Sequence, residues 1–569
     1  MIIGIDLGTT NSLSAFWRDG SAQLIPNALG SFLTPSAVSV AEDGAMLTGM
    51  AARERLSTRP DLSAAAFKRA MGTNHIFNLG KKKFRAEDLS ALVLRSLKED
   101  AERHLGQPVS DAVITVPAYF SDAQRKATRT AGQLAGLNVV RLLNEPTAAA
   151  LAYGLQSGEA EQRVVVLDLG GGTFDVSILE MFEGVMEVRA SAGDNRLGGE
   201  DFTQALADEF ALVLKLEDKI GKGRGTAPLR AAILRAAEVA KRALSGEHSH
   251  VMSVAWEDGM LETEITRERY DQLALPLLNR MRAPVERALR DAKLMPNQID
   301  HLVLAGGATR MPGIRRLAGT MFQRLPVAGI GPDEVVALGA AVQAGLVAED
   351  AALEDRVMTD VAPFSMGIEV SSGHQGQVLM RGLYLPVIER NTVIPASRSV
   401  TVHTLFDHQR DMRIGVFQGE ARMVEDNISL GAMGIDIPAA PAGKESVTIR
   451  FTYDVSGLLE VEAVVDSTRT QHQLVIESQA GGLNAKEIAA RLDMLSHLKI
   501  HPRDDMINVT LLNRAERLYA ERIGPERNQI AFRLDAFRLV LERQDPAEVE
   551  TARAAFTAWL EIVDRSFFS

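Results

Sequence analysis

The chain has 569 residues, 46% hydrophobic and 24% charged, which predicts about three to four domains. A formal net charge of −12 argues against a general nucleic-acid binder, and the absence of cysteine excludes disulfides, thiolate zinc sites and thiol catalysis. Met1 leads directly into Ile-Ile-Gly-Ile-Asp without a signal-peptide pattern, and no uncharged run approaches the ~18 apolar residues of a membrane span. We therefore expect a cytoplasmic protein that neither spans nor binds a membrane.

The first half of the chain is predicted to be α/β structure that is repeated once. Short β-branched runs such as 164–167 alternate with longer amphipathic stretches. The sequence Ile-Asp-Leu-Gly-Thr-Thr at 5–10 is echoed by Leu-Asp-Leu-Gly-Gly-Gly-Thr at 167–173. Later in each copy an apolar run ends in a tight turn, at 113–117 and at 302–307. Two similar halves usually face each other, which predicts a site in the cleft between them.

Each copy contains a loop that combines an aspartate with glycines and threonines, from Asp6 to Thr10 and from Asp168 to Thr173. Glycines let backbone N–H groups approach phosphate oxygens, and threonine hydroxyls add donors. A carboxylate repels phosphate, so Mg²⁺ or its water shell must lie between them. Neither loop is a Walker A motif or a Rossmann fingerprint. One such loop alone could be a simple glycine turn, but two at corresponding places indicate an ATPase site that holds Mg²⁺-nucleotide phosphates.

Further polar residues are candidates for the same site. Lys68 is either a surface lysine or a group that orients water and offsets phosphate charge. Glu145 is either a helix-start carboxylate or a residue that positions water on the metal. The glycine turn at 306–310 would allow close backbone approach on the opposite wall. A helical spacing also places four polar residues on one face, either solvated or against a nucleoside: Glu238, Lys241, Arg242 and Ser245.

The pattern changes twice in the second half of the chain. After a final helix predicted at 340–345 comes an acidic stretch, residues 349–360, which is predicted to be irregular. From Val361 to about Ile476, period-two runs separated by Gly, Asp and Asn predict an all-β domain. Asn484 with Glu487 resembles a capping box and opens a helical region to the C-terminus. Its apolar residues follow at helical spacing, at Ile488, Leu492, Leu495 and Leu498.

These residues resemble the seventy-kilodalton heat-shock protein chaperones of DnaK type. The matching strings occur in the family's order at 4–12 (GIDLGTTNS), 116–120 (VPAYF), 144–150 (NEPTAAA), 168–175 (DLGGGTFD), 197–202 (LGGEDF) and 304–312 (LAGGATRMP). The resemblance implies a multidomain protein with an α/β actin-like ATPase domain of two duplicated lobes (1–349) and an interdomain linker (350–360). A β-sandwich peptide-binding domain (361–482) and a short α-helical lid without a disordered tail (483–569) would follow.

The resemblance also implies roles for individual residues in binding ATP or ADP. The implied hydrolysis residues are Thr9, Thr10, Lys68, Glu145, Asp168 and Thr173. The implied ligands of Mg²⁺ and K⁺, mostly through water, are Asp6, Asp168 and Asp175. The remaining implied nucleotide contacts are Gly8, Asn11, Gly170, Gly171, Gly172, Gly198, Gly199, Glu200, Glu238, Lys241, Arg242, Ser245, Gly306, Gly307, Ala308, Arg310 and Asp333.

The remaining implied residues concern coupling and clients. Pro117 and Arg125 match the family's interdomain switch, and Arg141 and Asp360 match positions tied to J-domain partners and domain docking. The implied peptide cleft contains Ile368, Val402, Leu405, Met412, Ile414 and Val447. The implied partners are extended polypeptide clients and a J-domain co-chaperone, with the chain a monomer or weak dimer active in the stress response. The implied cycle is one in which ATP opens the lid and hydrolysis closes it.

Several features depart from the general bacterial chaperones and resemble the HscC-like subgroup. The linker carries Arg356 and Thr359 at positions that are usually apolar. The stretch 251–265 has only a short turn where an exchange factor usually binds, which favours a different exchange partner or none. Met412 replaces a smaller residue, and 373–384 reads as an insertion. We interpret these differences as signs of a restricted client range.

Two other classes of protein share the actin-like scaffold. A small-molecule kinase would need a general base and a substrate pocket in the first domain, and it would have no use for the β and helical regions. A filament-forming actin relative would normally lack residues 360–569. Formation of free phosphate without a phosphorylated acceptor distinguishes the chaperone from the kinase, and polymer sedimentation identifies the filament protein.

Overall fold

The computed structural model describes residues 1–157, 161–182, 184–216, 227–256, 259–327, 331–354, 356–374, 377–474, 485–498, 506–543 and 546–565. Its elements follow the chain in three regions, first mixed α/β, then strands, then helices. Within these ranges no helix combines the length and the apolar character needed to cross a membrane.

Lobe I, the first half of the α/β region, is built on a six-stranded sheet. Its elements are β1 (Ile2–Asp6), β2 (Asn11–Arg18), β3 (Ser21–Ile25), β4 (Thr34–Pro35), β5 (Ala37–Val40), β6 (Met46–Thr48), α1 (Met50–Thr58), β7 (Ser63–Ala65), β8 (Phe77–Leu79), β9 (Lys82–Phe84), α2 (Ala86–Leu105), β10 (Asp111–Val116), α3 (Asp122–Leu134), β11 (Asn138–Asn144) and α4 (Glu145–Ser157). The sheet order is β11–β10–β1–β2–β3, and β4 pairs with β2.

Lobe II, the second half, repeats this topology. Its elements are β12 (Glu161–Leu169), β13 (Phe174–Phe182), β14 (Val185–Asp194), α5 (Gly199–Val213), α6 (Ala227–Ala243), β15 (Ser249–Trp256), β16 (Gly259–Thr266), α7 (Arg267–Ala292), β17 (His301–Ala305), α8 (Pro312–Phe322) and α9 (Val335–Val347). In each lobe a central strand, β1 or β12, pairs antiparallel with the next strand and parallel with a later one, β10 or β17. The predicted internal repeat is therefore confirmed.

The lobes meet where α9 packs against α4 and β1. A Cβ atom added to Gly339 would lie 1.7 Å from the carbonyl oxygen of Ala148, and one added to Gly4 would lie 2.3 Å from the backbone of Ala340. Only glycine permits such approach of one backbone to another. Apolar residues of α4, α9 and both sheets form one buried cluster there. This cluster joins the lobes at the base of the cleft.

The strand region forms a sandwich of two four-stranded sheets. Its elements are β18 (Val357–Val361), β19 (Met366–His374), β20 (Gln377–Ile388), β21 (Val393–Ile394), β22 (Ala396–His403), β23 (Asp411–Gln418), β24 (Ile428–Asp436), β25 (Ser446–Tyr453), β26 (Leu459–Val465) and β27 (Gln471–Leu474). The sheet orders are β20–β19–β23–β24 and β22–β25–β26–β27. The predicted insertion at 373–384 belongs to the β19–β20 hairpin, with residues 375–376 outside the described residues.

The segment predicted to be an irregular linker contains a strand. β18 pairs in parallel with the edge of β14, from Val185↔Val357 to Glu187↔Thr359. At its other end it pairs antiparallel with β21, at Asp360↔Ile394. The prediction of irregular structure is wrong for 357–360 because the backbone groups at the free edge of β14 stabilise an added strand whatever its side chains.

The last helices, called the lid below, are α10 (Ala485–Ser496), α11 (Met506–Glu521), α12 (Gly524–Arg543) and α13 (Pro546–Arg565). The predicted boundary at 482/483 and the capping residue Asn484 lie outside the described residues. Helices α11 to α13 pack around Leu518 and the stacked rings of Phe537 and Phe556. Leu495 of α10 is fully buried in the core of lobe I. The lid therefore lies folded back on the α/β region.

Candidate active site

A cavity of about 390 Å³ lies in the cleft between the two lobes. Most of the predicted nucleotide residues line it, namely Asp6, Gly8, Thr9, Thr10, Asn11, Lys68, Glu145, Asp168, Gly170, Gly171, Thr173, Gly199, Glu238, Lys241, Arg242, Ser245, Gly306, Gly307, Ala308, Arg310 and Asp333. Four predicted residues do not line it: Gly172, Gly198, Glu200 and Asp175. The apolar lining was not predicted, and it comprises Leu13, Leu33, Met311, Pro332 and Val336.

The two glycine loops touch each other across the cleft. A Cβ atom at Gly171 would lie 2.0 Å from the hydroxyl oxygen of Thr10, and one at Gly8 would lie 2.0 Å from the carbonyl oxygen of Asn11. A Cβ atom at Gly170 would meet nothing within 4 Å. The loops therefore present bare backbone to the cavity while they pack closely behind it, as a phosphate site requires.

The start of α5 supports the second loop from behind. The N–H groups of Gly199 and Glu200 donate to the carbonyl oxygens of Gly170 and Gly171, at 2.8 and 2.9 Å. From lobe I, Arg69 donates to Asp201 on the first turn of α5, at 2.6 Å. Arg69 was not predicted, and its only sequence signal is its position next to Lys68.

Lys68 and Glu145 form a buried ion pair on the lobe I wall. The Nζ atom of Lys68 lies 2.6 Å from Oε1 of Glu145, and the two residues are 4% and 7% exposed. Lys68 lies in a short 3₁₀ helix that follows Ala66, whose φ of 56° is left-handed. Such backbone is rare in residues other than glycine, asparagine and aspartate, and it often marks a functional site. Glu145 is the first residue of α4, so it is both a helix-start carboxylate and a cavity residue.

Two aspartates, Asp6 and Asp168, line the cavity, and a third, Asp175, is buried near Asp168. Burial, reinforced by the charge of Glu145, raises the pKa of Asp6 to about 7 and that of Asp175 to about 8. The same causes raise the pKa of Asp168 well above its usual value. Asp175 accepts from the backbone N–H of Tyr119 at 3.0 Å, and Oδ2 of Asp168 has no hydrogen-bond partner among the described residues. Such a cluster fits a nearby divalent cation, which would compensate its charge.

The spacing of the acidic side chains determines whether they could bind a cation without other ligands. Among the described residues, no three acidic or histidine side chains are close enough together to hold a metal ion by themselves. Water and phosphate oxygens would therefore complete the shell of an Mg²⁺ ion beside Asp6, Asp168 and Asp175.

The polar stripe of α6 forms another wall of the cavity, and Lys241 reaches the start of α5 by donating to the Gly199 carbonyl oxygen at 3.0 Å. Glu238 accepts from Lys241 at 2.6 Å, from Arg242 at 2.8 Å and from the hydroxyl of Thr203 at 2.7 Å. Burial alone would raise the pKa of Glu238, but the two cations lower it to about 2. The stripe thus lines the cavity, with Glu238 and Lys241 largely covered and Arg242 exposed at its edge. On the adjoining wall Gly306 has a φ of 78°, and its Cβ would lie 2.3 Å from the Leu169 carbonyl oxygen.

Three of the four predicted switch residues converge on the linker strand. Arg125 is buried and donates to Asn144 at 2.7 Å and to the backbone oxygen of Ser456, in the sandwich, at 3.4 Å. Asp360 accepts from Asn144 at 2.8 Å. Burial lowers the pKa of Arg141, while the nearby charge of Asp360 opposes that fall. The fourth residue is Pro117, which follows β10 and whose carbonyl accepts from Phe120. Two partners that were not predicted, Thr147 and Asp122, add bonds to Asp360 and Leu459.

The predicted peptide-cleft residues lie mainly in the interior of the sandwich. Four of them, Ile368, Met412, Ile414 and Val447, are buried in its core, and Val402 packs against that core. Leu405 lies outside the strands, after β22, and its N–H donates to Gln409 at 2.9 Å. The structure thus groups five of the six residues between the two sheets.

A family model described as Hsp70 protein matches residues 2–529. The chain belongs to the Hsp70 family. The match includes both lobes, β18, the sandwich and the lid as far as the second turn of α12. Hsp70 proteins are ATP-dependent chaperones and ATPases that bind ATP or ADP with Mg²⁺, generally acting on unfolded polypeptides together with J-domain co-chaperones.

The cleft of this Hsp70 protein suits that nucleotide. The two loops offer N–H and hydroxyl donors for phosphates, the aspartate cluster lies where a metal would compensate charge, and the α6 stripe with the Gly306 turn leaves room for adenosine. Membership of the Hsp70 family and the geometry of the cavity thus agree on one ligand class.

Proposed function

We propose that this Hsp70 protein uses ATP binding and hydrolysis in the cleft to control its grip on extended hydrophobic polypeptide segments in the sandwich. The observation that carries this proposal is β18, which pairs with β14 of lobe II and with β21, the two-residue strand that leads into β22 of the sandwich. The sheet of lobe II therefore continues through β18 to β21, and β21 is followed directly by the sandwich strand β22, so a shift of that sheet displaces the chain where it enters the sandwich.

A short chain of contacts connects the cavity with this strand. Lys68 binds Glu145, and Asn144, the residue before Glu145, binds Asp360 of β18 at 2.8 Å. Thr147, in the first turn of α4, binds the same carboxylate at 3.1 Å. The N-terminus of α4 is thus in contact with both the hydrolysis site and the linker.

The side chains of the cleft have separable tasks in hydrolysis. Lys68, held by Glu145, is placed to orient the attacking water and to offset charge on the terminal phosphate. Thr9, Thr10 and Thr173 present hydroxyl donors from both loops. A bound Mg²⁺ ion would polarise the phosphoryl oxygens. Asp6, Asp168 and Asp175 would hold this ion through water, and a K⁺ ion beside them is part of the proposal.

ATP changes the grip only if it binds one arrangement of the domains more tightly than another. In the arrangement described here the sandwich is docked, through Arg125 to Ser456 and Asp122 to Leu459, and the lid lies on the lobes. We propose that ATP favours this docked form and that hydrolysis favours release of the lid onto the sandwich.

Finer features of the proposal concern clients and partners. The β15–β16 hairpin is paired as far as Trp256↔Gly259, which supports a different exchange partner or none. Met412 in the sandwich core supports a cleft of unusual shape and a restricted client range. These two features support our proposal that the chain belongs to the HscC-like subgroup. We further propose that it works with a J-domain co-chaperone and in the cytoplasm.

The test is the rate at which a fluorescent, extended hydrophobic peptide leaves the full chain. Addition of ATP should accelerate its release relative to ADP, and the peptide should in turn accelerate formation of free phosphate. Equal release rates in ATP and ADP would reject the proposal. A phosphorylated acceptor would favour a kinase, and ATP-dependent sedimentation would favour a filament protein.

A further inference from the structure

Helix α11 of the lid contacts both lobes at the rim of the cleft. On lobe I, Asn513 donates to the carbonyl oxygen of Ala51 at 3.0 Å, and Arg517 pairs with Glu54. On lobe II, Arg235 lies 2.6 Å from Glu521. A single helix of 16 residues therefore bridges the two halves of the nucleotide site.

Arg517 is the centre of this bridge. Its side chain is 2% exposed and pairs with three carboxylates: Glu54 of α1, Glu521 of α11 at 2.7 Å, and Asp564 of α13 at 3.2 Å. Burial alone would raise the pKa of Asp564, but Arg517 and Arg514 lower it, so the pairs are ionised. A buried guanidinium that is satisfied from several directions has one preferred geometry, and removal of a partner is costly.

The lobe II contact adjoins the nucleotide wall. Arg235 lies one turn before Glu238 on α6, the helix that also carries Lys241 and Arg242. Across the gap, burial lowers the pKa of Arg53 on α1, and the nearby positive charge of Arg242 lowers it further. The two side chains are therefore close to each other. Opening of this side of the cleft would separate α1 from α6, and the lid spans that gap.

The contact between the lid and lobe II is incompletely packed. A cavity of about 280 Å³ remains there, lined by Ser57 of lobe I, by Val239 and Trp256 of lobe II, and by Ile523 of the lid. This space is open to solvent, so the interface here is not close-packed in the way that a protein interior is. An interface of this kind, with polar pairs around a void, is suited to separation and re-formation.

We propose that the docked lid is a clasp on the nucleotide cleft, in which Arg517 and Glu521 tie α1 of lobe I to α6 of lobe II, so that nucleotide leaves only as fast as the lid releases lobe II. The clasp rests on the proposed function, since it requires a nucleotide in the cleft. A client that draws the lid toward the sandwich would thereby also open the cleft.

The first test is Arg235→Gln, which removes the lobe II side of the clasp and leaves the lid residues intact. After a chase with excess unlabelled ATP, a fluorescent ATP analogue should dissociate about two- to fivefold faster than from the wild-type chain, the range that a part-exposed ion pair supports. The matched control is Arg230→Gln, at an exposed position of the same helix, which should leave the rate unchanged. An unchanged rate in Arg235→Gln would contradict the clasp.

The second test closes the clasp covalently. Because the chain contains no cysteine, the pair Arg235→Cys and Glu521→Cys can be joined by a short thiol-reactive linker that reduction cleaves. Joining should slow nucleotide release by at least about tenfold, since the tethered lid re-engages at high effective concentration, and reduction should restore the uncrosslinked rate. A rate that is equal before and after reduction would overturn the proposal. If neither the crosslinked nor the reduced protein bound ATP, the proposed function itself would fail. If both bound and hydrolysed ATP normally but released nucleotide at the same rate, the clasp alone would be refuted.

Discussion

The ammonium group of Lys68 and the carboxylate of Glu145 meet at 2.6 Å, although 77 residues separate them in the chain. Lys68 comes from a 3₁₀ helix beside the cavity, and Glu145 begins the helix that also holds the linker through Thr147. A disturbance of phosphate in the cavity therefore reaches the linker through one ion pair and one turn of helix. In the proposed cycle this pair would take part in hydrolysis and would also connect the cavity with the contacts that hold the linker.

Substitution of the cleft donors should separate binding from turnover. Lys68→Ala and Thr173→Ala should each reduce single-turnover ATP hydrolysis by ~10²–10³-fold, because contacts to developing charge matter more in the transition state than in the ground state. Equilibrium titration should show nucleotide affinity within a few-fold of the wild-type value. The exposed Lys83→Ala serves as control. Wild-type single-turnover rates in both variants would contradict the assignment.

Removal of the linker carboxylate should uncouple the domains. Asp360 is buried and accepts from both Asn144 and Thr147, so Asp360→Ala leaves two buried donors unpaired at a cost of about 1–3 kcal/mol to the docked form. We expect basal hydrolysis to persist while ATP-triggered peptide release and peptide-stimulated hydrolysis are lost. Parallel assays of peptide dissociation and phosphate release check this, with the exposed Asp436→Ala as control. Full stimulation in Asp360→Ala would show that the contact is dispensable.

Metal binding should release protons near neutral pH. Folding raises the pKa of Asp6 to about 7 and of Asp175 to about 8, from an ordinary value of 3.8. Without a cation, the stability that these groups contribute is therefore full at low pH, falls as pH rises above about 4, and is lost by about pH 7 to 8. A bound cation favours the ionised carboxylates and so lowers the pKa of both Asp6 and Asp175. Calorimetry of Mg²⁺-ADP binding in buffers of different ionisation enthalpy should show roughly one to two protons released at pH 7, and few at pH 9.

Two controls isolate this effect. Mg²⁺ titrated into ADP alone gives the protons released by the nucleotide, and EDTA should abolish the protein's share. The thermal stabilisation given by Mg²⁺-ADP should also increase from pH 6 to pH 9. Heats that do not depend on the buffer at pH 7 would mean that the aspartates are already ionised in the free protein.

Closure of the phosphate loops should depend on Gly171. A methyl group there would lie 2.0 Å from the hydroxyl oxygen of Thr10 on the opposite loop. Gly171→Ala should therefore force the loops apart and weaken ATP binding by at least about tenfold, since small displacements at such sites are costly. Gly434→Ala, where the methyl would meet nothing within 4 Å, is the control in titration and thermal melting. Unchanged affinity in Gly171→Ala would mean that the loops close differently with nucleotide bound.

Local patterns in the sequence predicted much of the cavity. The glycines and threonines of 6–10 and 168–173 form motifs only a few residues long, so a phosphate loop can be predicted from each without knowledge of the fold. The repeat indicated that the two loops face each other. The α6 stripe also followed from helical spacing, although the spacing alone left open whether Glu238 faced solvent or a ligand. Only the fold resolved that question, because Thr203 and Gly199 bring α5 against the same side chains.

Long-range contacts could not be predicted in this way. Arg517 and Glu54 are 463 residues apart, and nothing in either local sequence indicates the other. The linker strand was missed for a related reason, since its pairing depends on the free edge of β14 rather than on the apolar character of residues 355–360. Arg69 was missed because its partner, Asp201, lies on the other lobe.

The backbone contact at Gly339 has a mechanical consequence. Where side chains interdigitate, rotation of one element against another requires many rotamers to change together. Here the carbonyl of Ala148 lies where a side chain of residue 339 would otherwise project, so at this point the two backbones touch without an intervening side chain. A small rotation of α9 against α4 about this point requires no rotamer change at residue 339, whereas the surrounding apolar side chains hold the rest of the contact. Resistance to relative rotation of the lobes then also comes from the rim of the cleft, where the ion pairs between the lid and the lobes can form and break.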